Sequence, residues 1–357
     1  MGGKLKKSKL ISLFAVLGIT AATLTGCASS SSTATKACLA LDTGGVDDKS
    51  FNASAWAGAQ AAAVEGKVEV KYLAATSDAD YAPNIKKLVD EKCSVIIGVG
   101  FLINGAIVEA AKANPDTKFA IVDQDGQDHG PAGDQYPGTA LANLKGIQFS
   151  TDQAAFQAGY LSAGYSTSGV VATYGGLNIP PVTIYMDGFA KGVAYYNTTK
   201  SKSVKVLGWD TAKKDGTFVG GFSDQAKALQ ISKNFEQQGA DVIFPVAGGL
   251  GGATAGNSQT SMKSVTIWVD TDGAVAAPQY LDVLLTSVMK GVGTSVTAVI
   301  NDVDAGNFTA DSYLGTLANG GTLLAGYNDF STKVSAELQA EVTKIGEDIK
   351  AGTLTVG

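Results

Sequence analysis

The sequence predicts an α/β protein of two lobes, each a mostly parallel sheet flanked by helices. Three observations carry that expectation. Short apolar runs alternate with longer stretches whose apolar residues recur at i, i+3 and i+4, the pattern of βαβ units. The alternation stops and then restarts midway along the chain. The chain has 357 residues, about twice the usual 100–200 residues of one domain.

The elements follow in order. Strands are expected at CLALD (38–42), VEVKYL (68–73), SVIIGVG (94–100) and KFAIVD (118–123), with helical stretches FNASAWAGAQAAAVEG, YAPNIKKLVDEK and INGAIVEAAKA between them. After a loop rich in Gly, Asp and Pro, and a helix at DQAAFQAGYLSAGYST, the rhythm resumes. VVATYGG (170–176), SVKVLGW (203–209), ADVIFPVAGG (240–249) and SVTIWVD (264–270) read as strands. The lobes are expected to join between about 125 and 150. On this reading residues 38–148 and about 271–308 build lobe 1, including a helix near YLDVLLTSVMKGV. Residues 149–270 and about 309–330 build lobe 2. VSAELQAEVTKIGEDIKAG, within 331–357, is a terminal helix with no lobe assigned.

Before the first strand lies a targeting segment. Lys4, Lys6, Lys7 and Lys9 precede the apolar run LISLFAVLGITAAT and then LTGC, ending at Cys27. A basic start followed by a short apolar run is the secretory pattern, and a run this short falls below the roughly 20 residues a membrane span needs. LTGC resembles the bacterial lipobox, in which the Cys is acylated and becomes the new N-terminus; the alternative is an ordinary signal peptide with a chance Cys. Residues 1–26 are thus expected to be a signal peptide. Residues 27–37, with ASSSSTATK, would be a flexible lipidated tether, holding the folded part on the outer face of the cell membrane. Cleavage would leave 23 basic against 33 acidic residues, a net charge of −10.

Composition excludes several functions. The whole chain carries 27 Lys and Arg against 33 Asp and Glu and has no basic tract, a poor match for nucleic acid. One His (His129) and three Cys cannot build a Cys/His zinc site, and no other metal or cofactor is expected. With Cys27 acylated, Cys38 and Cys93 are one candidate disulfide pair, each next to an apolar run, in an oxidising compartment; the alternative is two buried thiols.

Ligands of open parallel sheets bind outside the carboxyl ends of the strands. Here those ends carry Asp42, Gly98 to Gly100, Asp123, Gly175-Gly176, Gly248-Gly249 and Asp270. Two such edges facing each other make a closing trap for a small molecule. The densest motif is DTGGVDDKSFN (42–52), with Trp56 and Gly58 after it. Its glycines permit a sharp turn, Asp47 or Asp48 can cap the helix that begins near Ser50, and Phe51 would project into the cleft or pack in the core.

This string, with GVGF (98–101), FAIVDQ (119–124), GYLSAGYSTSGVVATYGGLNIPPV (159–182), MDGFAKGVAYYN (186–197), GGFSDQAKALQ (220–230), QQGADVIFPVAGGLGG, WVDTDG (268–273) and LTSVMKGV (285–292), resembles the basic membrane protein family of substrate-binding lipoproteins, which includes purine nucleoside receptors. The resemblance runs in order over nearly the whole mature chain. It implies a type I periplasmic-binding-protein-like fold and a monomer that captures nucleosides, purines above all, between its lobes for an ABC transporter permease. Carried over by motif, Phe51 and Phe222 would sandwich the base and Asp123 would accept a base N–H. Asp270 would take ribose hydroxyls with Lys290 nearby as a donor, and Asp42, Asn52 and the Gly248 backbone would complete the polar set. Phe218 competes with Phe222 for the second stacking role, because Gly221-Phe222-Ser223-Asp224 departs from the family's usual Gly-Ser-Phe-x-Asp. Other readings are a receptor for a ribose-like sugar or another small metabolite, an adhesive surface lipoprotein, and, from another class, a nucleoside hydrolase. The hydrolase motif needs an Asp where this chain has Gly44. GVGFLING (98–105) lacks the third glycine of a dinucleotide loop.

Overall fold

The computed structural model of the chain describes residues 34–64, 68–130 and 137–356. Cys27, the signal segment before it and most of the expected tether lie outside these residues.

Among the described residues, twelve strands and nine helices carry the fold. The first half holds β1 (Thr35–Leu41), α1 (Phe51–Val64), β2 (Val68–Ala74), α2 (Tyr81–Asp90), β3 (Val95–Val99), α3 (Asn104–Ala113), β4 (Lys118–Val122) and β5 (Leu144–Phe149). The second runs through α4 (Thr151–Tyr165), β6 (Val170–Gly175), α5 (Pro180–Lys200), β7 (Lys205–Leu207), α6 (Gln225–Gln237), β8 (Val242–Val246), α7 (Gly251–Ser261), β9 (Val265–Asp270) and β10 (Leu284–Lys290). The chain closes with α8 (Val292–Asp304), β11 (Tyr313–Gly315), β12 (Thr322–Leu324) and α9 (Ala336–Lys350). The first sheet has the order β11-β5-β4-β3-β1-β2 and is wholly parallel. The second has the order β12-β10-β9-β8-β6-β7, parallel except for β12. Helices cover both faces of such sheets, so the central strands are apolar throughout; every residue of β3 and of β8 is buried.

Three boundaries differ from the expectation. Strand β1 starts at Thr35, inside the expected tether. The stretch 284–290, expected within a first-lobe helix, is strand β10 of the second sheet. It is buried on both faces, and a short, fully buried apolar run has no periodicity to separate strand from helix. Of residues 271–308, α8 is the part that returns to the first lobe, where it lies on α1 so closely that a Cβ on Gly58 would sit 2.1 Å from the Gly293 carbonyl oxygen. Residues 309–330 are split: β11 completes the first sheet and β12 the second. The terminal helix α9 joins the core of the second lobe through Leu338, Val342, Ile345 and Ile349, and Gln157 Nε2 donates to the Val342 carbonyl at 2.8 Å.

The chain therefore passes between lobes three times: at Ser150, at Gly291 and between β11 and β12. The crossings are tied together. Ser150 N–H donates to Gly315 O at 2.8 Å, and Gly291 N–H to Gly321 O at 2.8 Å. A Cβ on Gly321 would lie 2.1 Å from Gly315 Cα, so no larger residue fits where these segments meet. In the first lobe Cys38 and Cys93 form a disulfide with Cα atoms 6.0 Å apart, closing a separation of 55 residues.

Candidate functional site

The carboxyl ends of β1, β3 and β4 face those of β8, β9 and β10 across a seam between the lobes. A cavity lies there, and Asp42, Phe51, Asn52, Asp123, Phe222, Gly248, Asp270 and Lys290 all line it. These residues span almost 250 positions of sequence, and the fold brings all eight together.

The first lobe supplies one wall. Asp42 ends β1 and is 7% exposed; the Tyr81 hydroxyl of α2 donates to its Oδ1. Burial pushes the Asp42 carboxyl up, against the pull of the Tyr81 hydroxyl. Gly100, at φ +124°, leaves room for this carboxylate, since a Cβ there would be 2.5 Å from Asp42 Oδ2. Asp48, not Asp47, caps α1: its carboxylate accepts the backbone N–H groups of Ser50, Asn52 and Ala53 at 2.9, 2.9 and 3.0 Å. Burial lifts its pKa to about 6 despite these bonds. The cap fixes the first turn of α1, which sends Phe51 and Asn52 to the cavity. Asn52 is 2% exposed, and its Oδ1 has no hydrogen-bond partner among the described residues.

Two aspartates end strands on opposite lobes, and both adopt the left-handed backbone conformation, Asp123 at φ 72° and Asp270 at φ 67°. Asp is one of the few residues that tolerate it. Lys290, at the end of β10, reaches across the seam to Asp123 at 2.6 Å, with both side chains over 90% buried. Its ammonium also lies 4.9 Å from the centre of the Phe51 ring and 5.4 Å from that of Phe149, distances at which a cation is attracted to an aromatic face. The resemblance placed Lys290 beside Asp270; the structure gives its charge to Asp123. Burial raises the Asp123 pKa and Lys290 opposes that rise. Asp270 is held by hydroxyls: Ser50 Oγ donates to Oδ2 at 2.8 Å and Tyr185 OH to Oδ1 at 2.8 Å.

Phe222 lines the cavity, seated on Gly176, where a Cβ would lie 2.2 Å from the ring. Phe218 instead packs edge-on against Trp209, ring centres 6.4 Å apart, and does not reach the cavity. His129 sits with Asp125 at 2.9 Å, also away from it. The sequence reading did not single out Tyr185, Ser50, Phe101 or Val182. A signal existed for two of them: Pro180-Pro181 after Gly175-Gly176 marks a helix start at the cleft edge, so Val182 and Tyr185 on its first turns face the cavity.

The arrangement offers apolar walls, two aromatic rings from opposite lobes, and carboxylates set to accept hydrogen bonds. Among the described residues no helix is long and apolar enough to cross a membrane. The family model "ABC transporter substrate-binding protein PnrA-like" matches residues 35–312. The chain is 27% identical over 378 aligned positions to the ABC transporter nucleoside-binding protein BmpA of Lactococcus lactis, covering 98% of this chain and 99% of that one. It is 28% identical over 354 positions to basic membrane protein A of Borreliella burgdorferi, covering 96% and 93%. Among solved structures, an ABC transporter solute-binding protein from Aeropyrum pernix matches with a TM-score of 0.77 at 22% identity, over 90% of this chain and 92% of that one, which shows a shared type I periplasmic-binding-protein-like fold. With these matches added to a two-lobed trap closed around one cavity, the chain belongs to the PnrA-like family of ABC transporter substrate-binding proteins.

Proposed function

We propose that this protein captures purine nucleosides between its lobes, outside the cell and anchored through an acylated Cys27, and hands them to an ABC importer. The observation that carries the reading is the meeting of Phe51 and Phe222, from opposite lobes, in one cavity with buried carboxylates at strand ends. Two rings can stack on a flat base, an interaction worth about 1–3 kcal/mol per base and tolerant of base identity. Asp123 spends part of its acceptor capacity on Lys290 and keeps lone pairs for a base N–H, since a carboxylate offers about four. Asp270 does the same for vicinal ribose hydroxyls, and Asn52 Oδ1 would gain the donor it lacks. The Lys290 charge balances Asp123, which suits a neutral ligand. The relative from Lactococcus lactis is named for nucleoside binding, in keeping with this assignment.

Mass spectrometry of small molecules released from the purified, denatured protein tests it. A purine nucleoside is the expected result; a free sugar in its place would overturn the proposal. Incubation with inosine is expected to leave it intact, and release of free ribose would reveal a hydrolase instead.

A further inference from the structure

Asp270 belongs to the second lobe, but one of its two oxygens is held by the first. Ser50 is fully buried and lies in the cap of α1, where its N–H donates to Asp48 Oδ1 at 2.9 Å and its carbonyl accepts from Ser54 N–H at 2.9 Å. Its hydroxyl is therefore fixed to the first lobe. That hydroxyl crosses the seam, 2.8 Å from Asp270 Oδ2 and 3.1 Å from the Val269 carbonyl. The neighbouring residues repeat the crossing: Thr271 Oγ1, which accepts from Trp268 Nε1 at 3.1 Å, donates to the Lys49 carbonyl at 2.8 Å. Two consecutive residues of one lobe thus bond to consecutive residues of the other. The second oxygen of Asp270 is held by Tyr185, from the same lobe as Asp270 itself.

We propose that Ser50 is a positioning residue that reaches Asp270 only when the lobes close, so that the carboxylate facing the ligand's hydroxyls is oriented by closure itself. The proposal rests on the nucleoside reading for the identity of the ligand, but not for the latch. Each oxygen of Asp270 spends one acceptor position on the protein, one within its lobe and one across the seam. With both filled, the carboxylate plane is set and the remaining lone pairs point in fixed directions. With the lobes apart, Tyr185 alone holds it and the side chain regains rotational freedom. A ligand bound by Asp270 and the Ser50 bond then stabilise the same closed state, and ligand escape requires that bond to break.

The test compares Ser50→Ala with Tyr185→Phe. Each variant removes one hydroxyl from the same carboxylate, but only the first removes an interlobe bond. Pulsed electron resonance between spin labels at Lys86→Cys and Lys213→Cys, exposed positions on opposite lobes, reads the separation of the lobes without ligand. Ser50→Ala is expected to lower the closed-to-open ratio about tenfold or more, as for loss of a hydrogen bond to a charged group; Tyr185→Phe, which removes no bond across the seam, is expected to lower it by a much smaller factor. Stopped-flow with inosine should show Ser50→Ala raising the dissociation rate by a similar factor with little change in the association rate. An unchanged lobe separation in Ser50→Ala, or an equal shift in both variants, overturns the latch. A wild-type protein that ignores inosine refutes the nucleoside reading, while the ligand-free distances still decide the latch.

Discussion

Asp123 and Asp270 occupy equivalent places in the two lobes, each ending a central strand in the same left-handed conformation, but they are satisfied by opposite means. Asp123 is neutralised by a lysine from the other side of the seam. Asp270 has hydroxyl donors instead, and its charge helps to raise the pKa of two other carboxyls, Asp123 and Asp48. The difference separates two ways of keeping a carboxylate in a dry cleft. A buried ion pair fails badly when one partner is lost, because the other is left as an uncompensated charge. A carboxylate held by neutral donors loses less per bond.

The largest effect should therefore come from Lys290. Lys290→Met is expected to cost about 3–5 kcal/mol of stability, read by urea denaturation, and adding Asp123→Asn should recover most of it. Asn tolerates the same backbone conformation, so the rescue tests charge and not strain. The pH dependence has a definite sign. Without Lys290, burial raises the Asp123 pKa unopposed. A carboxyl whose folded-state pKa exceeds its unfolded value favours the fold while protonated, and that contribution is lost as pH rises through the folded value. The deficit of Lys290→Met should thus be smallest near pH 4 and grow toward neutrality; a deficit flat in pH would break the comparison.

The next effect separates the lobes as whole units. Only the first lobe carries the disulfide Cys38–Cys93, and closing a loop of this length is worth about 2–4 kcal/mol. Reduction should lower the melting temperature and speed amide hydrogen exchange in β1 and β3 while sparing β8 and β9. Equal loss of protection in both lobes would show that they unfold as one unit.

Asp270→Ala comes third. It should weaken ribosides by about 1.5–3 kcal/mol, or about 10- to 150-fold, and leave free bases nearly untouched, whereas Asp123→Asn should weaken both. Calorimetric titration with inosine and hypoxanthine reads the pattern. A riboside affinity unchanged in Asp270→Ala would remove the asymmetry between the two aspartates.

How legible the site was depends on how local each signal is. Asp42, Asp123 and Asp270 could be placed because each follows directly on an apolar run, and the carboxyl end of a parallel strand is where ligands bind. Phe51 could be placed because Gly-Gly and a capping Asp announce a helix start, whereas Asn52 came with the resemblance. Lys290 was readable only by resemblance. Its own surroundings, LLTSVMKGV, look helical, and its partner lies 167 residues away, a pairing no local pattern encodes. The crossings failed for a related reason: β11 and β12 have three residues each, too few to show a period. Ser50 was visible as part of a motif, but its bond to Asp270 depends on two lobes meeting.

The smallest effect concerns Asp48, a carboxylate that Asp270 disturbs. It caps α1 beside the seam with three N–H bonds, yet burial outweighs those bonds and its pKa is lifted to about 6. The raised value means that its ionisation costs the fold stability as pH climbs from its unfolded value, near 3.8, to about 6. Asp48→Asn keeps the shape and remains a good helix cap, but it cannot ionise and offers one acceptor oxygen in place of two. Loss of that oxygen offsets part of what removing the charge relieves, so the net change is small and its pH dependence is the useful signal. Thermal melts across pH 4 to 8 should show the wild type losing ground to Asp48→Asn up to about pH 6, and a constant gap above it. The same substitution in an Asp270→Asn background should show a weaker pH dependence, because the like charge across the seam is gone. Parallel melting curves for wild type and Asp48→Asn throughout this range would place the source of any pH dependence at the cleft on its other buried carboxyls, Asp123 and Asp42, instead.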